Sequence, residues 1–185
     1  MEITSKEDYK LTIRGGGVVK KVIKILFLPF LFLITACSTD PVREDLLEYV
    51  NEDMKTAFEL EVKAVSAYDS VSGINYTDDW TMYDTIQTTV IPNYNEFIKE
   101  LNSVQVETEE LREIHEIYIE GADTQYNAFV KILTALETQD IALIEEANAM
   151  LEEARKLIRQ YMNELDKLAK EHEVEWDDNT VSESL

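Results

Sequence analysis

The sequence predicts an all-α protein: an antiparallel, up-and-down four-helix bundle that follows an N-terminal export signal. After Asp40 no stretch shows sustained alternation of apolar and polar residues, and no Asn-Gly or Asp-Gly pair marks a hairpin. Apolar residues instead recur every three or four positions in four long stretches. Only short breaks separate these stretches, which favours antiparallel neighbours in one bundle over 41–172.

The first predicted helix spans 41–71. Asp40 can cap its N-terminus, and Pro41 suits the first helical position. The turn that contains Gly73 ends the helix. Its expected core-facing stripe is Leu47, Val50, Met54, Ala57, Ala64, Tyr68 and Val71, with Leu46, Phe58 and Val65 beside it.

The second predicted helix spans 78–103, and Thr77 is its expected N-cap. Pro92 lies inside this stretch and cannot donate a hydrogen bond to the carbonyl of Thr88. We therefore expect a kink near 88–91, or two shorter helices that are broken there.

The third predicted helix spans 108–138 and begins at Thr108, and the fourth spans 141–172 and is capped by Asp140. A heptad pattern in the fourth helix is typical of left-handed antiparallel packing. Residues 173–185 lose the pattern and are interpreted as an acidic flexible tail. The residues of the heptad are Ile144, Ala147, Leu151, Ala154, Ile158, Tyr161, Leu165 and Leu168.

The segment 18–36 has the features of a secretory signal. An apolar run over 22–35 contains one lysine and follows two others, and small residues then lead to Cys37, the only cysteine of the chain. The run is too short for a comfortable membrane span. The lysines of the positive flank are Lys20, Lys21 and Lys24.

Ile34-Thr35-Ala36-Cys37 resembles a bacterial lipobox. The resemblance implies cleavage before Cys37, a diacylglycerol thioether on its sulfur and an acyl chain or free amine on the new N-terminus, with 37–40 as a lipidated tether. Each buried lipid CH₂ contributes about 0.8 kcal/mol, and two chains suffice for stable anchoring. A plain signal peptide, or an uncleaved anchor with an incidental cysteine, remains the alternative.

Residues 1–17 are either a disordered leader or a mis-annotated start. Arg14-Gly15-Gly16-Gly17 matches the translation of a purine-rich ribosome-binding site. The true start would then be Val18 or Val19, and the nucleotide sequence of codons 14–17 tests this interpretation.

The charge of the chain excludes several classes of partner. Residues 1–36 hold six of the 17 Lys and Arg residues and three of the 38 Asp and Glu residues, so the remainder has a net charge of −24. Nucleic acid and anionic membrane surfaces are bound through Lys and Arg, so neither is expected to bind this region. With Cys37 acylated, no thiol remains for a disulfide, a zinc site or a nucleophile.

Three polar residues fall on the predicted seams: Glu61, His115 and Gln125. They could form a polar pocket that binds a ligand or cation, or they could fix the register of the helices through buried hydrogen bonds. A di-iron site is not expected, because neither histidine of the chain is preceded by glutamate at the Glu-x-x-His spacing. No catalytic motif, metal site or cofactor is predicted.

The connection between the first two helices is the most distinctive loop. Tyr76, Asp78, Asp79 and Trp80 lie there, and exposed aromatic residues at a loop suit contacts with another protein. Asp78-Asp79 and Asp177-Asp178 could supply oxygen ligands to Ca²⁺, but neither pair has the spacing of a calcium loop.

The lipobox and the acidic helical body together resemble small uncharacterised lipoproteins of Gram-positive, spore-forming bacteria, including lipoproteins described as cell-wall-binding. The resemblance is specific over Lys20–Cys37 and implies a lipid anchor on the outer face of the cell membrane. We expect a non-enzymatic binding or scaffolding module with a protein or another cell-envelope component as its partner. A ligand or cation sensor that uses the seam residues, and an enzyme with an unrecognised carboxylate site, are the alternatives.

Overall fold

The structure is a computed structural model that describes residues 40–175. Between short connections these residues are helical, and they contain no strand. The all-α prediction is therefore confirmed for this part of the chain. The α-helices are α1 (Pro41–Glu48), α2 (Lys55–Asp69), α3 (Asp79–Thr85), α4 (Ile91–Ser103), α5 (Glu109–Thr138) and α6 (Ile141–Glu171).

Two π-helical turns join α-helices end to end. Tyr49–Asp53 lies between α1 and α2, and Ile86–Val90 lies between α3 and α4. The second turn overlaps residues 88–91, where the sequence predicted a kink or a break, and it immediately precedes the first turn of α4, which contains Pro92. Since Pro92 offers no N–H to the carbonyl of Thr88, the wider spacing of a π turn lets the chain stay helical past the proline.

The first π turn was not predicted, and it changes which residues of the first helical stretch face the core. A π turn adds one residue to a helical turn and so rotates the buried face. Leu46, before the turn, and Tyr49, its first residue, are fully buried, and full burial resumes at Met54, directly after the turn. Leu47 and Val50, which were expected to begin the core-facing stripe, do pack against the core but are only half-buried, whereas Leu46, expected beside the stripe, is fully buried.

Two of the expected caps are confirmed. The carboxylate of Asp40 accepts a hydrogen bond from the amide of Arg43 at 3.2 Å, and that of Asp140 accepts one from the amide of Ala142 at 2.9 Å. Gly73 adopts a φ of +54°, the left-handed conformation that only glycine adopts without strain, in the turn after α2.

The other two expected caps differ from the prediction in different ways. Asp78, and not Thr77, caps α3, because its carboxylate accepts a hydrogen bond from the amide of Thr81 at 2.9 Å. Thr108 occupies the N-cap position of α5 as predicted, but its side chain makes no capping hydrogen bond. Its hydroxyl instead donates to Asp45 at 2.5 Å, which ties the start of α5 to α1.

The contacts between helices establish their relative directions. α5 packs along α6, and α4 packs along both α2 and α5. Gly121 of α5 lies against Leu157 and Ile158 of α6, whereas Lys131 pairs with Glu146, so α5 and α6 run antiparallel. α2 and α5 run parallel, because residue numbers increase in the same direction along both helices in two ring contacts. These contacts are Phe58 with Tyr118 and Tyr68 with Phe129.

The core lies between these helices and is rich in aromatic rings. Tyr94, Phe97, Tyr118 and Phe129 contact one another through edge-on or tilted rings. Small residues let α5 approach α6 closely, because a Cβ atom on Gly121 would lie 3.3 Å from side-chain atoms of α6. Val174, which the sequence assigned to the tail, is buried, and its amide donates to the carbonyl of Ala169 at 2.8 Å.

Contacts between connections define two ends of this helical body. We call the end that contains Asp40, the connection 104–108 and His172 the base, because Asp40 contacts His172 and Asp45 contacts Thr108 there. We call the opposite end, formed by residues 70–80 and 139–141, the tip.

Candidate functional site

His115 lies in a buried hydrogen-bonded group on the seam. Its Nδ1 lies 2.9 Å from the hydroxyl of Tyr49, which lies 3.3 Å from the hydroxyl of Tyr161, and its Nε2 lies 3.1 Å from the carbonyl oxygen of Leu101. A carbonyl only accepts, so Nε2 carries the proton and donates to Leu101. Nδ1 then accepts from Tyr49, whose oxygen accepts in turn from Tyr161.

This arrangement suits a neutral imidazole. Burial lowers the pKa of His115 below its ordinary value, and the hydrogen bond with the carbonyl of Leu101 opposes that effect. Both ring nitrogens have partners within the protein. The ring is therefore a structural element that holds α1 and its π turn against α4 and α5.

Glu61 belongs to a second group. Its carboxylate accepts a hydrogen bond from the hydroxyl of Tyr118 at 2.5 Å. Burial raises the pKa of Glu61, and the hydrogen bond from Tyr118 acts in the opposite direction. The ring of Tyr118 stacks on that of Tyr161, with centroids 4.4 Å apart and planes 12° apart.

The three predicted seam residues are therefore not joined by direct hydrogen bonds. In residues 40–175, Glu61 and His115 belong to separate hydrogen-bonded groups, which the stacked rings of Tyr118 and Tyr161 connect. Gln125 is half-buried, and in residues 40–175 its side chain has no hydrogen bond to either. Two shallow surface grooves, of about 180 and 340 Å³, are lined by residues of α5 and α6 and include none of the three.

One buried hydroxyl next to these groups is unsatisfied. Tyr94 is fully buried, and its hydroxyl has no hydrogen-bond partner in the described part of the chain. Its ring lies between Phe97 and Phe129, edge-on to both. The ring fills the core, while the oxygen adds a desolvation cost without a compensating bond.

The base fixes the point where the chain enters the helical body. The carboxylate of Asp40 lies 2.7 Å from Nδ1 of His172, and this contact lowers the pKa of Asp40. Asp45 is buried and accepts hydrogen bonds from the amides of Thr108 at 2.8 Å and Glu107 at 3.3 Å. The N-terminal end of α1 is thus attached to both the start of α5 and the end of α6.

The tip joins two connections that are distant in sequence. The hydroxyl of Tyr76 donates to Asp79 at 2.7 Å, and the other carboxylate oxygen of Asp79 accepts from the amide group of Gln139 at 3.2 Å. A second bond, from the hydroxyl of Tyr83 to Glu137 at 2.6 Å, reinforces the pairing. Among the predicted tip residues, Tyr76 and Trp80 are exposed, and Asp78 is occupied as a cap.

Several predicted features fall outside the described residues. Cys37 and the segments 1–17, 18–36 and 37–39 lie before Asp40, and Asp177-Asp178 lies after residue 175. Among the described helices, none has the length and apolar character to cross a bilayer. No group of three or more His, Cys, Asp or Glu residues is placed to hold a metal ion between residues 40 and 175.

Comparison with protein-family models, with curated proteins and with solved structures found no match for this chain. The residues of the chain itself are therefore the basis for any functional inference.

Sequence reasoning missed four residues of these groups. Tyr49 was overlooked because the unpredicted π turn places it in the core. Tyr161 was recognised only as a packing residue, although its hydroxyl takes part in the His115 group. The sequence analysis did not single out Ile74 or Ile141, yet both are exposed at the tip. A large apolar residue within one connection, and another directly after the next, were the signal that could have found these two.

Proposed function

We propose that this chain is a lipid-anchored extracytoplasmic lipoprotein of the Gram-positive type, whose described residues form an antiparallel four-helix bundle that acts as a binding or scaffolding module at the cell surface. The observation that carries the proposal is Ile34-Thr35-Ala36-Cys37, placed directly after a lysine-flanked apolar run. A single thiol occurs in the chain, at the one position where lipid transfer to a lipobox needs it.

The position of the helical body supports this proposal. α1 begins at Pro41, four residues after Cys37, and Asp40 is held at the base by His172. A lipid on Cys37 would therefore lie next to the base. α5 has 30 residues, which corresponds to a length of about 45 Å at 1.5 Å per residue. The tip would then project away from the membrane.

The charge of the region after Cys37 also agrees with an anchored module. A net charge of −24 repels an anionic membrane surface, so the helical body would not lie flat on the bilayer. Attachment would depend on the acyl chains alone. The non-enzymatic interpretation stays part of the proposal, and the only group that we expect to be attached is the covalent lipid on Cys37.

Metabolic labelling with a fatty acid tests the anchor. In a Gram-positive host, the wild-type chain should incorporate labelled palmitate and partition into the detergent phase. Cys37→Ser should abolish the label, and Ser38→Ala, which changes the neighbouring residue, should keep it. Label in the Cys37→Ser protein, or none in the wild type, would refute the lipoprotein proposal. The label is the decisive measurement, because an uncleaved Cys37→Ser protein can still sediment with membranes through its apolar run.

A further inference from the structure

The tip concentrates exposed apolar side chains. In residues 40–175, six large apolar residues are exposed, and four of them lie at the tip. Val62 and Val130, the other two, lie on the lateral faces of α2 and α5. The four at the tip are Ile74, Trp80, Ile141 and Tyr76, with exposed fractions of 100%, 73%, 76% and 46%. Exposed apolar residues that cluster inside a polar rim mark interaction sites more often than scattered ones do.

The tip is held together by hydrogen bonds. Asp79 bonds both Tyr76 and Gln139, so the two connections meet at this carboxylate. Trp80 follows Asp79 directly, and Ile141 lies two residues after Gln139. Residues from two distant parts of the chain therefore contribute to one surface. Backbone hydrogen bonds from Asn75 to Ser72 and from Tyr76 to Gly73 also order this connection, which reduces the conformational entropy that is lost when a partner binds.

The charge around the tip has one sign. No Lys or Arg occurs between Lys63 and Lys99, where five acidic residues lie, nor between Lys131 and Arg155, where six lie. These two segments include both connections of the tip. We call the acidic residues that lie in or near these connections in sequence the acidic rim: Asp69, Asp78, Asp79, Asp84, Glu137 and Asp140.

We propose that the tip is a docking surface for a basic protein segment that also carries apolar side chains. Apolar residues of the partner would cover Ile74, Trp80 and Ile141, while its Lys and Arg residues would face the acidic rim. Tryptophan and tyrosine at the centre of an interface contribute a large share of binding energy. Complementary charge accelerates association and discriminates against acidic partners. The proposal rests on the binding-module function and names the class of its partner.

The same charge argues against other occupants. A second copy of the chain would bring an equally acidic tip against this one, and like charges at close range oppose association. An anionic lipid surface or a nucleic acid would meet carboxylates where it needs Lys and Arg.

A defined peptide tests the proposal. The probe is a fluorescent peptide of alternating Lys and Leu, measured by anisotropy against the full-length chain in phosphatidylcholine nanodiscs, with empty nanodiscs as the blank. A chain that proves not to be acylated is measured free in buffer. We expect Ile74→Ser with Trp80→Ala to weaken binding at least tenfold. Val62→Ser with Val130→Ser, a control that also removes two exposed apolar side chains without changing charge, should change it less than twofold.

The outcomes separate this proposal from its alternatives. Binding that weakens with added salt, and that is lost when Gln replaces Lys in the peptide, supports it. Equal loss in the tip and control variants, equal binding of the Gln peptide, or tighter tip-dependent binding to anionic phosphatidylglycerol vesicles would overturn it. Circular dichroism confirms that each variant is folded. If the wild-type chain incorporates no palmitate but binds the peptide through the tip, only the anchor is refuted. If it incorporates palmitate but does not bind the peptide through the tip, only the docking surface is refuted.

Discussion

The hydroxyl of Tyr49 lies 2.9 Å from Nδ1 of His115, although 66 positions separate the two residues in sequence. Their rings meet edge-on, with centroids 5.5 Å apart. The contact joins the first π turn to α5. Nε2 of the same ring donates to the carbonyl of Leu101, so both ring nitrogens have a hydrogen-bond partner. A polar residue that was a candidate for ligand binding is thus occupied by internal partners.

Tyr49→Phe should destabilise the protein. The substitution keeps the ring but leaves Nδ1 of His115 without a donor in a buried setting. An unsatisfied buried polar group costs about 1–3 kcal/mol. The free energy of unfolding, measured by urea denaturation, should fall by that amount. An unchanged midpoint and slope would show that the contact contributes nothing to stability.

Tyr94→Phe, unlike Tyr49→Phe, should leave the stability of the protein unchanged or increase it. The hydroxyl of Tyr94 is buried without a hydrogen-bond partner in residues 40–175, so its removal relieves a desolvation cost. We expect the free energy of unfolding to stay level or rise by up to about 1 kcal/mol. The same denaturation experiment serves both tyrosines, and a loss as large as that of Tyr49→Phe would contradict this assignment.

The stability of the protein should depend on the protonation of His115. Burial lowers the pKa of His115 in the folded state below its ordinary 6.5, so the unfolded state binds the proton more readily. The contribution is present above pH 6.5 and is lost as the pH falls through the lowered pKa. We expect the free energy of unfolding, measured by urea denaturation between pH 8 and pH 5, to fall more steeply with falling pH for the wild type than for His115→Gln. Parallel curves for the two proteins would show that the protonation of His115 does not control stability.

The protonation of Glu61 should have the opposite effect on the pH dependence of stability. Burial raises the pKa of Glu61 above its ordinary 4.5, so the folded state holds the proton after the unfolded state has lost it. The wild type therefore loses stability as the pH rises from about 4.5 through the raised pKa. Glu61→Gln still accepts from Tyr118, and its stability relative to the wild type should increase over this range. Glu61→Ala, which removes the acceptor, is the control and should be less stable than Glu61→Gln.

Gly121→Val should force α5 and α6 apart. A Cβ atom at this position would lie 3.3 Å from side-chain carbons of both Leu157 and Ile158, and the branched carbons of valine would come closer still. Overpacking of this kind costs about 1–3 kcal/mol. Asp123→Val, at an exposed position of α5, is the matched control for the helix propensity of valine. Equal thermal midpoints for the two variants would show that the close approach is not required.

Tertiary contacts decided features that local patterns suggested wrongly. Thr108 is a good N-cap by residue type, yet its hydroxyl bonds Asp45 because α1 lies beside the start of α5. Gln125 was predicted on the seam like His115, but in the described residues it makes no hydrogen bond to the group that contains His115. Residue type and helical period indicate the face on which a side chain lies. They do not indicate the atom across the seam that it meets.

The sequence by itself determined the helical class of residues 40–175, the Asp40 and Asp140 caps and the disturbance before Pro92, because each depends on interactions within one or two helical turns. Only the tertiary structure decided the π turn at Tyr49, the pairing of Tyr49 with His115 and the position of Ile74, Trp80 and Ile141 at the same end. These features depend on how separate helices pack together, and the energy of that packing is shared among residues that are far apart in the chain.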